Sequence, residues 1–229
     1  MDVGSAEGYT SYIARSKLGC TTVCTDLSDE ACKRSHEIFQ MESIAADAHN
    51  LPFGDSTFDV VLCSETLEHV SCPQKALDEL LRIARKAVVL TVPLETPETV
   101  EKNRSEKAPH SHINRFHSDS FEHLKELGYT IRKTEMNESS LLSRYGRAIL
   151  DARTLPDAAV PVISRVLGMR SVAIFILMDY WFCQLTHRNE GLLFVLLKDE
   201  KSWSDKEKKR IKPTDIVSTA IPLYHMRIP

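Results

Sequence analysis

Short apolar runs alternate with helical patterns over the first half of the chain. TTVCT (21–25), SIAA (43–46), FDVVLC (58–63) and AVVLTV (87–92) are brief, rich in Val and Ile, and bounded by polar residues, as strands buried on both faces are. Between them, residues 9–18, 29–39 and 74–85 carry apolar side chains at three- and four-residue intervals, which predicts amphipathic helices. Gly19 is placed to end the first, Ser28 to cap the second and Pro73 to open the third, where its missing N–H is not needed. Strands separated by such helices imply βαβ crossovers and an α/β, doubly wound, mostly parallel sheet.

The texture changes after Pro93. ETPETVEKNRSEKAPHSHINRFH has many charges and little apolar periodicity, so it is expected to be a long loop bordering a functional site. SDSFEHLKELG (118–128) reads as a capped helix ending on Gly128, YTIRKTEM (129–136) as an exposed strand and EGLLFVLLKD (190–199) as a strong one. These two late strands predict an antiparallel edge. The stretch 140–189 between them holds SVAIFILMDYWFCQL. This run is too short to span a bilayer and is interrupted by Asp179, so a helical lid is expected and a membrane contact through 172–182 is disfavoured. The expected organisation is a core of 1–139 with 190–199, a helical insertion at 140–189, and a charged tail at 200–229.

Composition narrows this only slightly. With 229 residues and 42% hydrophobic content, the chain suits one decorated domain. A net charge of -3 and a pI near 6.3 disfavour nucleic acid as a partner, although a local basic patch stays open. Six cysteines without a CxxC pair read as buried free thiols in a reducing compartment. No basic segment followed by an apolar run opens the chain, so a cytoplasmic location is the default expectation.

Chemistry concentrates after the strands. DVGSAEG (2–8), TDLS (25–28), ADAHNLPF (46–53) and FDVVLCSETLEHV (58–70) place a polar group behind each of four successive strands, and open α/β sheets bind ligands at their carboxyl edge. Gly4 and Gly8 let backbone approach a ligand, while Asp2 can pair with a cationic or N–H donor group. A dinucleotide fingerprint starting at Gly4 would need glycine where Ala6 and Tyr9 stand, which disfavours NAD and FAD. Asp26 can accept both hydroxyls of a ribose, or alternatively cap the helix that follows. His69 can orient or deprotonate a nucleophile, because imidazoles ordinarily titrate near neutrality, or it can merely pack the loop. His110 and His112 lie two apart, but no nearby acid or cysteine completes a ligand set, so no metal is expected.

In order and spacing, these four sites resemble the class I S-adenosylmethionine-dependent methyltransferases, particularly the broad family acting on small molecules. The resemblance covers residues 1 to about 129. It implies a Rossmann-like fold, S-adenosyl-L-methionine as cofactor, and methyl transfer to a small or medium-sized, partly hydrophobic acceptor. Cofactor contacts are then expected from Asp2, Gly4, Ser5 and Gly8, from Asp26 on the ribose with Leu27 against the adenine, from Asp47 and Ala48 at the adenine edge, and from Ser64 beneath the methionine part. His69 is the catalytic candidate. HSHINRFH (110–117) resembles a stretch that faces the substrate in this family, making His112, Asn114 and Arg115 candidate acceptor contacts, with an ordinary ion pair the alternative for Arg115.

One departure stands out. The family has an apolar first strand, and only Met1 and Val3 could belong to one here. Losing a central strand would strand buried backbone groups at roughly 1–3 kcal/mol each, against a total stability of about 5–15 kcal/mol. Either coding sequence lies upstream of Met1, which is the favoured expectation, or IVSTAIPLYHM fills the gap, or the chain is a degenerate relative. Two rival functions follow: a non-catalytic binding or scaffolding module, and an RNA or protein methyltransferase docking its substrate on the basic run 206–212.

Overall fold

A computed structural model describes residues 1–106, 111–136 and 191–198. The predicted insertion at 140–189, the tail at 200–229, IVSTAIPLYHM, the basic run and His110 lie outside the described residues.

Seven strands form one sheet in the order β3-β2-β1-β4-β5-β7-β6. They are β1 (Asp2–Val3), β2 (Val23–Asp26), β3 (Glu42–Ala45), β4 (Phe58–Ser64), β5 (Ala84–Pro93), β6 (Thr130–Met136) and β7 (Gly191–Leu197). The first five run parallel, with Asp2 facing Cys24 on one side and Leu62 on the other. β7 lies antiparallel to β5, from Ala87 opposite Leu197 to Pro93 opposite Gly191. The expected mostly parallel sheet with an antiparallel edge is therefore present. Its order reverses between β1 and β4, the switch point where such sheets open a crevice.

β1 has two residues in this chain, both buried, and both pair with β2. Leu62 N–H also donates to the Met1 carbonyl at 2.8 Å. Short as it is, β1 joins β2 to β4 and sets their register.

The helices follow their sequence signals closely. α1 (Tyr9–Ile13) runs into a single π-helical turn, Ala14–Leu18, stopped by Gly19 at φ 72°. α2 (Asp29–Phe39) is capped by the Ser28 hydroxyl, which accepts from Ala31 N–H at 3.2 Å. It buries Cys32, Ser35, Ile38 and Phe39. α3 (Pro73–Ile83) buries Ala76, Leu77, Leu80, Leu81 and Ile83, a stripe repeating at three and four residues. It stops two residues before the periodicity does. Ala84 is extended and fully buried opposite Phe58, so the sheet claims it for β5.

Two expectations need correction. Within the predicted loop after Pro93, Pro97–Glu106 forms a helix, α4. Thr96 caps it by accepting from Thr99 N–H at 3.2 Å, and Val100 is its only buried residue. With a single apolar anchor it has no stripe for periodicity to detect. Its hold on the protein is polar: Asn103 Nδ2 donates to the His112 carbonyl at 3.0 Å and Arg104 Nε to the Ile113 carbonyl at 2.7 Å. The predicted helix at 118–128 is instead a run of turns around a 3₁₀ segment, Glu122–Lys125. Phe121 and Leu124 are buried while Leu127 is 70% exposed. A three-residue spacing of buried side chains suits the tighter helix.

The main core lies on the β4–β5–β7 side, where Leu77, Leu80 and Ile83 share one cluster with Val61, Val88, Leu90 and Phe194. Phe121 packs edge-on against Phe194 with ring centroids 4.8 Å apart. A smaller cluster of Cys24, Ile38, Phe39 and Met41 lies under α2. Cys20, Cys24, Cys32, Cys63 and Cys72 are free thiols, the middle three of them buried. Among the described residues no helix is long and apolar enough to cross a membrane.

Gly8 and Gly19 both sit at positive φ but differ in surroundings. A Cβ at Gly8 would lie 2.4 Å from Ser35 Oγ, whereas one at Gly19 would meet nothing within 4 Å. Gly19→Ala should therefore cost only the left-handed backbone strain, roughly 1–2 kcal/mol. Gly8→Ala should add overpacking and cost about 2–4 kcal/mol in all. Urea unfolding of the two variants checks the difference; equal losses would contradict it.

Candidate cofactor and acceptor site

The site is built from the loops at the carboxyl ends of β1, β2, β3, β4 and β5. Gly4 and Ser5 both donate their N–H groups to the Thr25 carbonyl, at 2.8 and 3.0 Å. Ala6 N–H donates to Asp26 Oδ2 at 2.8 Å, and Ser28 N–H to Asp26 Oδ1 at 2.9 Å. The glycine-rich loop and the loop after β2 are thereby fastened to each other. Each Asp26 oxygen keeps further acceptor capacity, because an ionised carboxylate offers about four lone-pair positions. Leu27 beside it is 78% exposed, an apolar side chain held at the rim with little of its own to pack against.

Besides the expected approach of a ligand, Gly4 meets a requirement of the fold itself. At φ 73° a Cβ would lie 2.2 Å from Thr66 Oγ1, so the missing side chain admits the loop after β4. Thr66 Oγ1 in turn donates to the Ser64 carbonyl at 2.9 Å, and Glu65 between them adopts φ 49°. Such a conformation is uncommon for a side-chain-bearing residue and clusters at functional sites.

Asp2 is 3% exposed and accepts from Ser11 Oγ at 3.0 Å. Burial pushes its carboxyl up to about 6, with the Ser11 hydrogen bond opposing the rise. A carboxylate kept there at neutral pH is destabilised unless a cation joins it. Asp47 is exposed, and its Oδ1 accepts from His49 N–H at 2.9 Å and bonds His49 Nδ1 at 2.6 Å. Those bonds, the backbone one first, hold its carboxyl below the usual range. His49 Nε2 then accepts from Cys72 N–H at 3.2 Å, tying the loop after β3 to the start of α3. Ala48 packs on the main core. His49 escaped the sequence reading, although its place in ADAHN beside Asp47 was visible.

Ser64 Oγ shares a hydrogen bond with Thr91 Oγ1 at 2.7 Å. Burial pushes the thiol of neighbouring Cys63 far up, leaving it inert. Ser5 Oγ and Glu65 Oε1 are buried polar atoms with no hydrogen-bond partner among the described residues. Orphans of this kind cost roughly 1–3 kcal/mol, and their position in the loops after β1 and β4 fits a polar ligand there.

A second group gathers where the loop after β4 meets the segment 111–116. Ile113 and Asn114 donate their N–H groups to the Glu68 carbonyl at 2.8 and 3.0 Å. Asn114 Nδ2 donates to the carbonyls of Leu67 and Val70, at 3.0 and 2.6 Å. Its amide hydrogens thus staple two loops together, leaving only its oxygen for an acceptor. Arg115 Nε donates to the Glu95 carbonyl at 3.0 Å. His112 Nδ1 lies 2.6 Å from Glu95 Oε1, and His69 Nδ1 lies 3.2 Å from the Ser111 carbonyl. Both rings are therefore aimed, edge to face with centroids 4.8 Å apart. Glu95 was missed in the sequence, where only its position two residues beyond the end of β5 hinted at a role.

The predicted cofactor residues thus lie along the rim of β1, β2, β3 and β4, and the predicted acceptor residues where the loops after β4 and β5 meet. A groove of about 330 Å³ lined by Gln74, Asp78, Arg82, Tyr129 and Lys198 lies elsewhere, near the start of β5.

A parallel sheet with one antiparallel strand beside β5 and polar loops at its carboxyl edge defines the class I methyltransferase fold. The family described as methyltransferase domain matches residues 1–92, and the fold is that of the class I S-adenosylmethionine-dependent methyltransferases. Over 91 residues the chain is 34% identical to tocopherol O-methyltransferase of Arabidopsis thaliana. It is 35% identical over 89 residues to demethylmenaquinone methyltransferase of Clavibacter sepedonicus. Each match covers 37% of this chain, and 26% and 36% of the relative's length respectively, so the chain spans about a third of the curated relatives it matches. Among solved structures, phosphoethanolamine N-methyltransferase 2 of Haemonchus contortus, in complex with S-adenosyl-L-methionine, shares the fold with a TM-score of 0.54 and 15% identity, covering 87% of this chain and 48% of that one.

The raised Asp2 carboxyl has a definite consequence for stability. An unfolded aspartate loses its proton near 3.8 and the folded one near 6, so between those values the native state holds the extra proton. Stability contributed by the protonated form is present at pH 4 and lost as pH rises through 6. Asp2→Asn should abolish this loss. Relative to the parent, the variant should gain about 2–3 kcal/mol between pH 4 and pH 7 in denaturant unfolding. A difference independent of pH would contradict the burial argument.

Proposed function

We propose that this chain binds S-adenosyl-L-methionine along the rim of β1, β2, β3 and β4 and directs methyl transfer to a small or medium-sized acceptor with apolar bulk. The observation that carries this reading is the arrangement of three acids on three adjacent parallel strands: a buried Asp2 within β1, an Asp26 that ends β2 and is tied to the glycine loop, and an exposed Asp47 two residues beyond β3. Bound S-adenosyl-L-methionine supplies a methyl group on a positively charged sulfur. Asp2 meets the cationic amino acid portion, relieving its own burial cost. Asp26 accepts from the ribose, Leu27 covers one adenine face, and Asp47 with Ala48 reads the adenine edge. Gly4, Ser5 and Gly8 shape the loop, and Ser64 underlies the methionine part.

On the acceptor side, His69 orients or takes a proton from the acceptor, with His112, Asn114 and Arg115 around it. The Ser111 carbonyl can only accept, so His69 Nδ1 carries a proton, and Nε2 lies 3.7 Å from Glu68 Oε1. A sulfonium needs no acid to help it leave, so the protein's work is alignment, exclusion of water and removal of any acceptor proton. The apolar run SVAIFILMDYWFCQL supports an acceptor with hydrophobic bulk, as do relatives named for tocopherol and demethylmenaquinone. A cytoplasmic location accords with this reading.

Calorimetry should give micromolar binding of both S-adenosylmethionine and S-adenosylhomocysteine. Asp26→Ala should weaken each by about 10–100-fold, the worth of charge-assisted hydrogen bonds. No heat with either compound would favour a non-catalytic scaffold. With a panel of polar and apolar acceptors, turnover is expected on the apolar set, and His69→Ala should lower it about 100-fold or more where the acceptor must lose a proton. Turnover confined to polar acceptors would refute the apolar assignment.

A further inference from the structure

The acceptor-side loops hold more than a base. One ligand atom from each of Glu68, His69 and His112 lies within 4.8 Å of the others. The Glu68 carboxyl is fully buried, and its Oε1 is 3.7 Å from His69 Nε2. His69 and His112 are about a third exposed, so the cluster is enclosed on the Glu68 side and open on the imidazole side.

We propose that Glu68, His69 and His112 bind one divalent transition-metal ion. Three independent features argue for it. First, both imidazoles are fixed through Nδ1: His69 donates to the Ser111 carbonyl and His112 to the Glu95 carboxylate. Each ring would then meet an ion through Nε2. A metal-binding histidine almost always gives its other nitrogen to a carbonyl or carboxylate in this way, and the partner raises its basicity. Second, two imidazoles bound to one ion at about 2.1 Å, at angles of about 90–110°, place their ring centroids about 4.5–5.3 Å apart. The observed 4.8 Å already satisfies that. Bonds of about 2.1 Å at tetrahedral angles put ligand atoms about 3.4 Å apart, so these three, within 4.8 Å of one another, would close by up to about 1.4 Å onto an ion. Third, the two loops are held in register without an ion, by the bonds from Ile113, Asn114 N–H and Asn114 Nδ2 to the loop after β4. The ligands are thus preorganised rather than gathered by the metal.

Two imidazole nitrogens and one carboxylate suit zinc, cobalt or iron rather than magnesium or calcium, which prefer all-oxygen shells. Three protein ligands leave a further position open. An ion at this site would occupy the His69 Nε2 that otherwise takes an acceptor proton, so use of the open position by an acceptor oxygen replaces His69 as base and rests on the function proposed above; ion binding itself does not. Spacing along the chain conceals such a site, because the ligands come from loops 43 residues apart in sequence, at His69 and His112.

The test uses the full chain, stripped with chelator and titrated with Co²⁺ and Zn²⁺ by calorimetry and visible absorption. One ion per chain is expected, with weak d–d bands and no thiolate-to-cobalt charge-transfer band. His69→Ala and His112→Ala should each weaken binding at least 10-fold, and Glu95→Gln about 10–100-fold through loss of the orienting carboxylate. Magnesium should not compete. His69→Gln and His112→Gln serve as second variants, with circular dichroism confirming that each protein is folded. S-adenosylmethionine affinity, measured on the same samples, should stay within about twofold of the parent in His112→Ala, so loss of the ion and loss of the cofactor are separate outcomes. Binding unchanged in both histidine variants, a thiolate band, or no binding at millimolar metal would overturn the proposal.

Discussion

Two residues hold the architecture together. Asp2 and Val3 pair with β2, and Asp2 lies opposite Leu62 of β4, so the carboxyl ends of β2 and β4 meet the glycine-rich loop at one level. Every later feature of the rim follows from that register. Thr25 receives the N–H groups of Gly4 and Ser5, and Asp26 receives that of Ala6. A one-residue slip would turn each alternate side chain to the other face and bring Val3 rather than Asp2 toward Ser11.

The same rim concentrates cost as well as function. Asp2 is a buried acid with a raised titration, Ala6 and Glu65 adopt positive φ, and Ser5 Oγ and Glu65 Oε1 are orphaned. Each feature destabilises the protein alone. A polar, partly cationic ligand bound there would relieve the burial of Asp2 and partner those two atoms. The core beneath β4, β5 and β7, where Val61, Leu80, Leu90 and Phe194 are fully buried, supplies the stability such a rim consumes.

On the other side of the switch point, polar staples do what apolar packing does elsewhere. Asn103, Arg104 and Asn114 spend their side chains on backbone carbonyls of the loops that carry His69 and His112. α4 is therefore held by hydrogen bonds more than by burial, and residues that read as candidate acceptor contacts turn out to include a structural staple. His112 is aimed by Glu95 and His69 by a backbone carbonyl, which makes the pair suited to proton removal or to metal ligation.

Much of this was legible in the sequence. Strand positions came from short runs of β-branched and other apolar residues bounded by polar ones, and α2 from a capping serine and an apolar stripe, because those signals are local and repeat with the period of the element. The order of polar groups behind successive strands marked the rim, since chain connectivity alone puts a parallel strand's exit at the carboxyl edge. What only the tertiary structure decided involves partners distant along the chain. Gly4 is required by Thr66, α3 yields Ala84 to the sheet, and Glu68, His69 and His112 meet across a gap no spacing rule spans. Periodicity reports which way a side chain faces; which group it meets there is settled by the packing of loops from separate crossovers.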